Sequence, residues 1–134
     1  MQYTINKAIV STNLNYGRLH ISPNASEGFR PYELFISSLA GCSGAILAKI
    51  LEKKRIAFEE IDIDSTFERN PIYSNRFEKI EFNASIKTST IIGEKQAEKI
   101  AELVLKNCGM IQSVNTSVDI TFVLSFVQAT SDYQ

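Results

Sequence analysis

The stretch PYELFISSLAGCSGAILAKIL, from Pro31 to Leu51, decides the fold of this 134-residue chain. Pro31 suits the first position of a helix, because its ring fixes φ near the helical value and no N–H is needed there. Glu33 adds a carboxylate to the first turn, where it complements the helix dipole. Cations gather around Lys54, as they do where helices end. The sequence therefore predicts a long helix from Pro31 to about Lys54.

Apolar residues spread around most of this helix. They are Leu34, Phe35, Ile36, Leu39, Ile46, Leu47, Ile50 and Leu51. One small sheet covers only one face of a helix, so a second helix or a second subunit must cover the rest. The small residues Ala40, Gly41 and Ala45 would let another element approach the backbone near Cys42. We expect a long buried central helix, and the pattern favours a dimer with an interwound core.

Strand-like patterns flank the central helix on both sides. Residues 3–10 and 16–22 predict a hairpin, with Ser11 to Asn15 as its turn. Alternating apolar residues from Ile61 to Phe67 and from Ile80 to Ile86 predict two further strands, which a short turn joins as an antiparallel pair. The chain is therefore expected to build antiparallel sheets.

A second helix and a final strand complete the pattern. Ala97, Ile100, Val104 and Cys108 recur at helical spacing, and Gly109 follows where a C-terminal cap would stand. Residues 118–126 alternate as a last strand. The resulting order, ββαββαβ, predicts one α+β domain over residues 1–134 with no linker or repeat.

Composition excludes several classes of function. The hydrophobic fraction of 44% is ample for a core, and the formal net charge is −1 with no basic stripe, so nucleic acid is not an expected partner. The opening MQYTINKAIV lacks the features of a signal peptide. No unbroken apolar run reaches the ~18 residues of a membrane span. We expect a cytoplasmic protein without a membrane partner.

Cys42 lies near the middle of the central helix, either as a packing thiol or as a nucleophile. It stands about ten residues inside the helix, where the dipole of the first turn has faded. A reactive Cys42 would therefore need a cation. One guanidinium at about 4 Å contributes about 4 kcal/mol at an effective dielectric of about 20, which is enough to ionise a thiol near neutral pH. Arg18 and Arg30 are the candidates.

Cys108 lies on the apolar stripe of the second helix, which is the ordinary place for a buried thiol. Alternatively it meets Cys42, which requires Cα atoms about 5.5–6 Å apart. Two cysteines and one histidine, His20, give no set of metal ligands, so no metal and no cofactor are expected. A cysteine hydrolase with His20 as its base has no orienting motif to support it.

The motif PYELFISSLAGCSGAIL, with KNCGMIQSV placing a second cysteine 66 positions after the first, resembles the OsmC/Ohr family of thiol peroxidases. The resemblance covers essentially the whole chain. It implies an intertwined homodimer with the site between subunits, Cys42 as the peroxidatic cysteine and Cys108 as the resolving one. The family arginine comes from the amino-terminal hairpin, which makes Arg18 a better match than Arg30.

The chain also departs from the family pattern. The organic-hydroperoxide branch has a glutamate directly after the proline, where this chain has Tyr32, and the acid follows one place later as Glu33. Glu33 precedes Cys42 by nine residues, hence lies about 180° around the helix and about 13 Å along it. Its ordinary role is that of a first-turn carboxylate. These departures indicate a less characterised branch.

The resemblance implies a cofactor-free thiol peroxidase that acts on organic hydroperoxides. Cys42 would become a sulfenic acid, Cys108 would close a disulfide with it, and an external dithiol would reduce the pair. An alternative remains open. The same fold would then be a non-catalytic dimer that binds an apolar small molecule, with both thiols unperturbed.

Overall fold

The computed structural model describes residues 1–129 of the chain. The strands are β1 (Tyr3–Asn6), β2 (Ile9–Asn13), β3 (Arg18–Ile21), β4 (Glu60–Asn70), β5 (Arg76–Thr88) and β6 (Asp119–Gln128). The helices are α1 (Pro31–Lys53), α2 (Glu94–Asn107) and α3 (Gly109–Val114), and a 3₁₀ turn covers Pro71–Tyr73. The expected α+β class is confirmed, with one more strand before α1 and one more helix after α2.

These elements form two compact units, Met1–Ser38 and Leu39–Gln134. The boundary between the units falls inside α1, so that helix contributes its first turns to one unit and the rest to the other. Whether the two units fold as the single domain expected from the sequence stays a prediction.

The Met1–Ser38 unit contains an antiparallel sheet in the order β1-β2-β3. The expected turn at residues 11–15 is wrong in its first part, because Ser11 to Asn13 belong to β2. Thr12 pairs with Tyr3 on one side and with Leu19 on the other, and this pairing outweighs the local turn preference of the polar residues. Lys7, at φ 56°, makes the additional turn between β1 and β2.

The Leu39–Gln134 unit contains a second sheet in the order β4-β5-β6. β4 and β5 are antiparallel, as expected, but β5 and β6 are parallel. The expectation of purely antiparallel sheets is therefore wrong at this pair. A parallel pair needs a long crossover, which α2 and α3 provide between the two strands. Alternate residues of β5 face the core: Ile80, Phe82, Ala84 and Ile86 are buried.

Only one stripe of α1 is buried within the chain. Its buried residues are Ile36, Leu39, Ser43, Leu47 and Leu51. Gly44 is where another element approaches α1, since an added Cβ there would lie 3.1 Å from Cδ1 of Ile63 on β4. A Cβ on Gly41, the expected approach point, would meet nothing within 4 Å. The burial of α1 on more than one face is therefore not reached within one chain.

The composition of α1 also bears on the expectation of no membrane span. By length and apolar content, its 23 residues are enough to cross a membrane, although no unbroken apolar run is that long. Helices in the cores of proteins that never enter a membrane meet the same criterion, so this finding assigns no membrane.

Candidate functional site

The two cysteines of the chain are free thiols that lie against each other. Cys42 is half-buried on α1, and Cys108 is fully buried at the junction of α2 and α3. Their side chains are hydrogen-bonded. The structure thus brings together the two residues that the sequence singled out. We call them the thiol pair.

The backbone conformation and hydrogen bonds of the α2–α3 junction position Cys108. Its φ of −82° and ψ of 103° are extended, so the helix breaks at this residue. Its N–H donates to the carbonyl of Val104 at 3.0 Å, and its carbonyl accepts from the N–H of Gln112 at 2.9 Å. Gly109 does not cap α2 as expected but begins α3. The break leaves the first N–H groups of α3 without acceptors inside that helix.

Two of these N–H groups affect the pKa of Cys42. The pKa of the Cys42 thiol is lowered by the hydrogen bond with Cys108 and then by the backbone N–H groups of Met110 and Gly109. Hydrogen bonds to a thiolate favour the charged form, whereas the partial burial of Cys42 opposes it. The hydrogen-bond donors outweigh the effect of burial. The pKa of Cys42 is therefore lowered, and Cys42 ionises more readily than an ordinary cysteine.

The pKa of Cys108 is shifted in the opposite direction to that of Cys42. Burial raises the pKa of its thiol, and the contact with Cys42 raises it further. Backbone N–H groups of Ile111 and Met110 lower it only in part. Cys42 therefore ionises before Cys108. The pKa values of the two thiols are thus moved apart, with Cys42 the more acidic member of the thiol pair.

The candidate charged residues have partners of their own. Arg18, on β3, donates from Nη1 to Oδ1 of Asn13 at 3.0 Å. Arg30 donates from Nε to Oε1 of Glu33 at 2.8 Å, and its guanidinium lies 4.9 Å from the centroid of the Tyr32 ring. Glu33 thus acts as the first-turn carboxylate expected from the sequence. A role for Arg18 or Arg30 toward Cys42 stays a prediction.

His20 lies outside the thiol pair, in the amino-terminal sheet. Its Nδ1 is hydrogen-bonded to Oγ of Ser11 across the β2–β3 ladder at 2.7 Å. Among residues 1–129, no three His, Cys, Asp or Glu side chains gather as metal ligands would. The cofactor-free chemistry expected from the sequence stays a prediction.

Sequence reasoning missed the backbone donors of Gly109 and Met110. The available signal was the order Asn107, Cys108, Gly109 followed by a second helical run, which permits a helix break at the cysteine. Because glycine is the usual C-terminal cap, the sequence predicts the end of a single helix at this point instead. Every residue except proline has a backbone N–H, so the sequence does not reveal which of these groups act as donors. Side-chain patterns indicate only cations as candidates for stabilising the thiolate.

Solved structures share this fold at low sequence identity. A hypothetical protein from Aquifex aeolicus VF5 has a TM-score of 0.82 and 21% identity, with 96% of each chain covered. An OsmC like protein from Mycoplasma pneumoniae has a TM-score of 0.76 and 15% identity, with 96% of this chain and 95% of that chain covered. An organic hydroperoxide resistance protein from Elizabethkingia anophelis has a TM-score of 0.74 and 13% identity, with 94% of each chain covered.

Sequence comparison identifies the family. No curated protein matches the sequence. A family model described as OsmC-like protein matches residues 23–123, which include all three helices, the thiol pair, and strands β4 and β5. The match covers most of the chain and agrees with the fold of the solved structures, so this chain belongs to the OsmC-like protein family.

Proposed function

We propose that this protein is a cytoplasmic, cofactor-free thiol peroxidase that reduces organic hydroperoxides. The observation that supports the proposal is the thiol pair, in which the pKa of Cys42 is lowered and that of its hydrogen-bond partner Cys108 is raised. The substrate class is suggested by a neighbour of the same fold, the organic hydroperoxide resistance protein from Elizabethkingia anophelis.

The first step is attack by the Cys42 thiolate on the terminal oxygen of the hydroperoxide. An S–O bond forms, the O–O bond breaks, and the alkoxide leaves and takes up a proton to become an alcohol. Cys42 is then a sulfenic acid, having lost two electrons to the peroxide. The N–H groups of Met110 and Gly109 hold the thiolate ready for this attack.

The second step uses Cys108, which already touches Cys42. Its sulfur attacks the sulfenic sulfur, an S–S bond forms, and the hydroxyl leaves as water with the Cys108 proton. An external dithiol then reduces the disulfide by thiol–disulfide exchange and becomes a disulfide itself. The atoms and electrons of the cycle balance with one hydroperoxide and one dithiol.

Arg18 and a second subunit complete the proposal. The family resemblance assigns Arg18 to the thiolate and to the charge that develops on the departing oxygen. It also implies an intertwined homodimer. The half-exposed apolar residues of α1, such as Leu34 and Ile46, support a dimer because they leave apolar surface for a partner to cover. Sedimentation at micromolar concentration should show a dimer, and a well-folded monomer would contradict this part.

Intact-mass spectrometry after one equivalent of cumene hydroperoxide tests the proposed chemistry. The wild-type protein should lose about 2 Da as the disulfide forms. If the protein remains fully reduced, the thiols are packing residues. The alternative would then hold, in which a non-catalytic dimer of this fold binds an apolar small molecule.

A further inference from the structure

One face of the amino-terminal sheet carries most of the polar side chains of its three strands. Thr4, Ser11 and His20 form a row across the three strands, because Thr4 pairs with Ser11 and Ser11 pairs with His20. The strand period of two puts Arg18 on the same face as His20. The alternate positions face the other way and are mostly apolar: Ile5, Val10, Thr12, Leu19 and Ile21.

This polar face forms a cleft with a volume of about 480 Å³. Its polar lining includes Thr4, Lys7, Ser11, Arg18, His20 and Glu27. We call it the N-terminal cleft. Pockets that hold small ligands span about 300–1,000 Å³, so the cleft is large enough for a small organic molecule. All of its lining residues belong to the Met1–Ser38 unit, whereas both cysteines belong to the Leu39–Gln134 unit.

Glu27 reaches the cleft because the chain folds back beside β3. The N–H of Phe29 donates to the carbonyl of His20 at 2.9 Å, and the N–H of Ser22 donates to the carbonyl of Phe29 at 3.1 Å. Gly28 permits this approach, since an added Cβ would lie 2.7 Å from the His20 carbonyl oxygen. The acid at the rim of the cleft is therefore held by backbone contacts.

The hydrogen bond with Ser11 fixes the His20 ring in the cleft. Nδ1 is hydrogen-bonded to the Ser11 hydroxyl at 2.7 Å, so Nε2 is the ring nitrogen available to a ligand. When the hydroxyl donates to Nδ1, a neutral imidazole carries its proton on Nε2, and in the charged ring Nε2 also carries a proton. In both of these states His20 presents an N–H donor.

We infer that the N-terminal cleft binds a small organic molecule through an oxyanion group, either a carboxylate or a phosphate monoester. Lys7 and Arg18 supply cationic donors, Nε2 of His20 adds a further polar contact, and Glu27 is the one acid among the lining residues. Guanidinium and ammonium groups make their strongest hydrogen bonds to carboxylate and phosphate oxygens. The hydroxyls of Thr4 and Ser11 add neutral donors beside them. Arg18 also has a proposed role toward the Cys42 thiolate, so Lys7, His20 and Glu27 carry the test of this inference.

Binding is tested on the full-length ¹⁵N-labelled protein with phenyl phosphate, benzoate and uncharged phenol as probes. Phenyl phosphate or benzoate should give saturable amide shifts in β1, β2 and β3, and phenol should not. A preference for one of the two anions identifies the phosphate or the carboxylate as the ligand group. Equal shifts with phenol, or no saturable shift in residues 1–38 with either anion, would overturn the inference.

Substitutions of the lining residues should weaken or strengthen anion binding according to their charge. Lys7→Gln and His20→Ala should each weaken binding about twofold to fivefold, the range measured for exposed charge interactions. Glu27→Gln should strengthen it by a similar factor, because repulsion of the anion is removed. Lys99→Gln, on the exposed face of α2, is the matched control and should leave binding unchanged. If Lys99→Gln weakens binding as much as Lys7→Gln, the attraction is that of overall charge and the cleft is not a site.

Discussion

Cys42 and Cys108 carry the same chemical group, yet their surroundings move their pKa values in opposite directions. Cys42 is half-buried and accepts hydrogen bonds from a thiol and from two backbone N–H groups. Cys108 is fully buried, and loss of solvent is the largest influence on it. The difference teaches that donor contacts, and not position within a helix, decide which thiol has the lower pKa.

The same comparison bears on how a thiol in the middle of a helix can be activated. Cys42 lies too far from the start of α1 for that helix to help it. The helix break after Cys108 brings N–H donors from a different element to the Cys42 sulfur. Substitutions of Cys42, of Cys108, of the candidate cation Arg18 and of a residue that supplies one backbone donor separate these contributions.

The largest effect is expected from removing the nucleophile. Cys42→Ser should lower the rate of hydroperoxide consumption on the order of a thousandfold or more, as loss of a catalytic nucleophile does elsewhere. A serine hydroxyl does not ionise near neutral pH, and Cys108 is held protonated by burial. Peroxide consumption measured by ferrous oxidation checks this. A variant that retains wild-type activity would show that Cys42 is not the nucleophile.

Loss of Cys108 should have a different signature. Cys108→Ser should still complete the first oxidation but form no disulfide, so that the mass rises by about 16 Da for one oxygen instead of falling. Excess hydroperoxide should drive the product to the irreversible sulfinic acid, and turnover with dithiol should be lost. If Cys108→Ser and Cys42→Ser give the same mass spectrum, the two cysteines do not have separate roles.

Cys108→Ala sharpens this experiment by removing the hydrogen-bond donor that serine keeps. Because the pKa of Cys42 is lowered by that donor, its loss should raise the pKa, and the rise of the first-oxidation rate with pH should move to higher pH. At pH 7 the rate should fall about threefold to tenfold below that of Cys108→Ser, the usual worth of one hydrogen bond. Identical profiles of the two variants in stopped-flow oxidation would remove Cys108 as a source of the lowered pKa.

Arg18→Ala tests whether a cation also stabilises the Cys42 thiolate. If Arg18 stabilises the thiolate, its loss should slow peroxide reduction about tenfold or more, because a nearby guanidinium contributes several kcal/mol. Arg30→Ala is the control, since Arg30 is paired with Glu33 and should have a smaller effect. A wild-type rate and pH profile for Arg18→Ala would leave the backbone donors and Cys108 as the whole cause.

The smallest effect is expected from deleting one backbone donor. Gly109→Pro removes an N–H that lowers the pKa of Cys42, and proline is well tolerated at the first position of a helix. Cys108 already has the extended conformation that a residue before proline requires. The rate at pH 7 should fall about twofold to threefold, toward the lower end of one hydrogen bond.

Gly109→Ala is the matched control for that variant. It keeps the N–H, and the added Cβ would meet nothing within 4 Å. Its rate and pH profile should equal those of the wild type. Equal slowing by alanine and proline would mean that the backbone conformation of Gly109, and not its N–H, affects Cys42.

Much of the fold could be predicted from the sequence because its signals are local. Pro31, Glu33 and the terminal cations mark the ends of α1, and the period of two in β5 identifies the buried residues from Ile80 to Ile86. The spacing of Cys42 and Cys108 in their motifs was enough to indicate the family. Apart from the 66-residue spacing of the two cysteines, each of these signals depends on residues within a few turns or strand positions of one another.

Only the tertiary structure decided the rest, because it depends on contacts between distant parts of the chain. The parallel pairing of β5 with β6 follows from the path of α2 and α3, which strand periodicity does not encode. The donors to Cys42 are main-chain N–H groups of Gly109 and Met110, and every residue except proline has one. The sequence determined which thiols to consider, and the packing of α1 against the α2–α3 junction determined which of them ionises first.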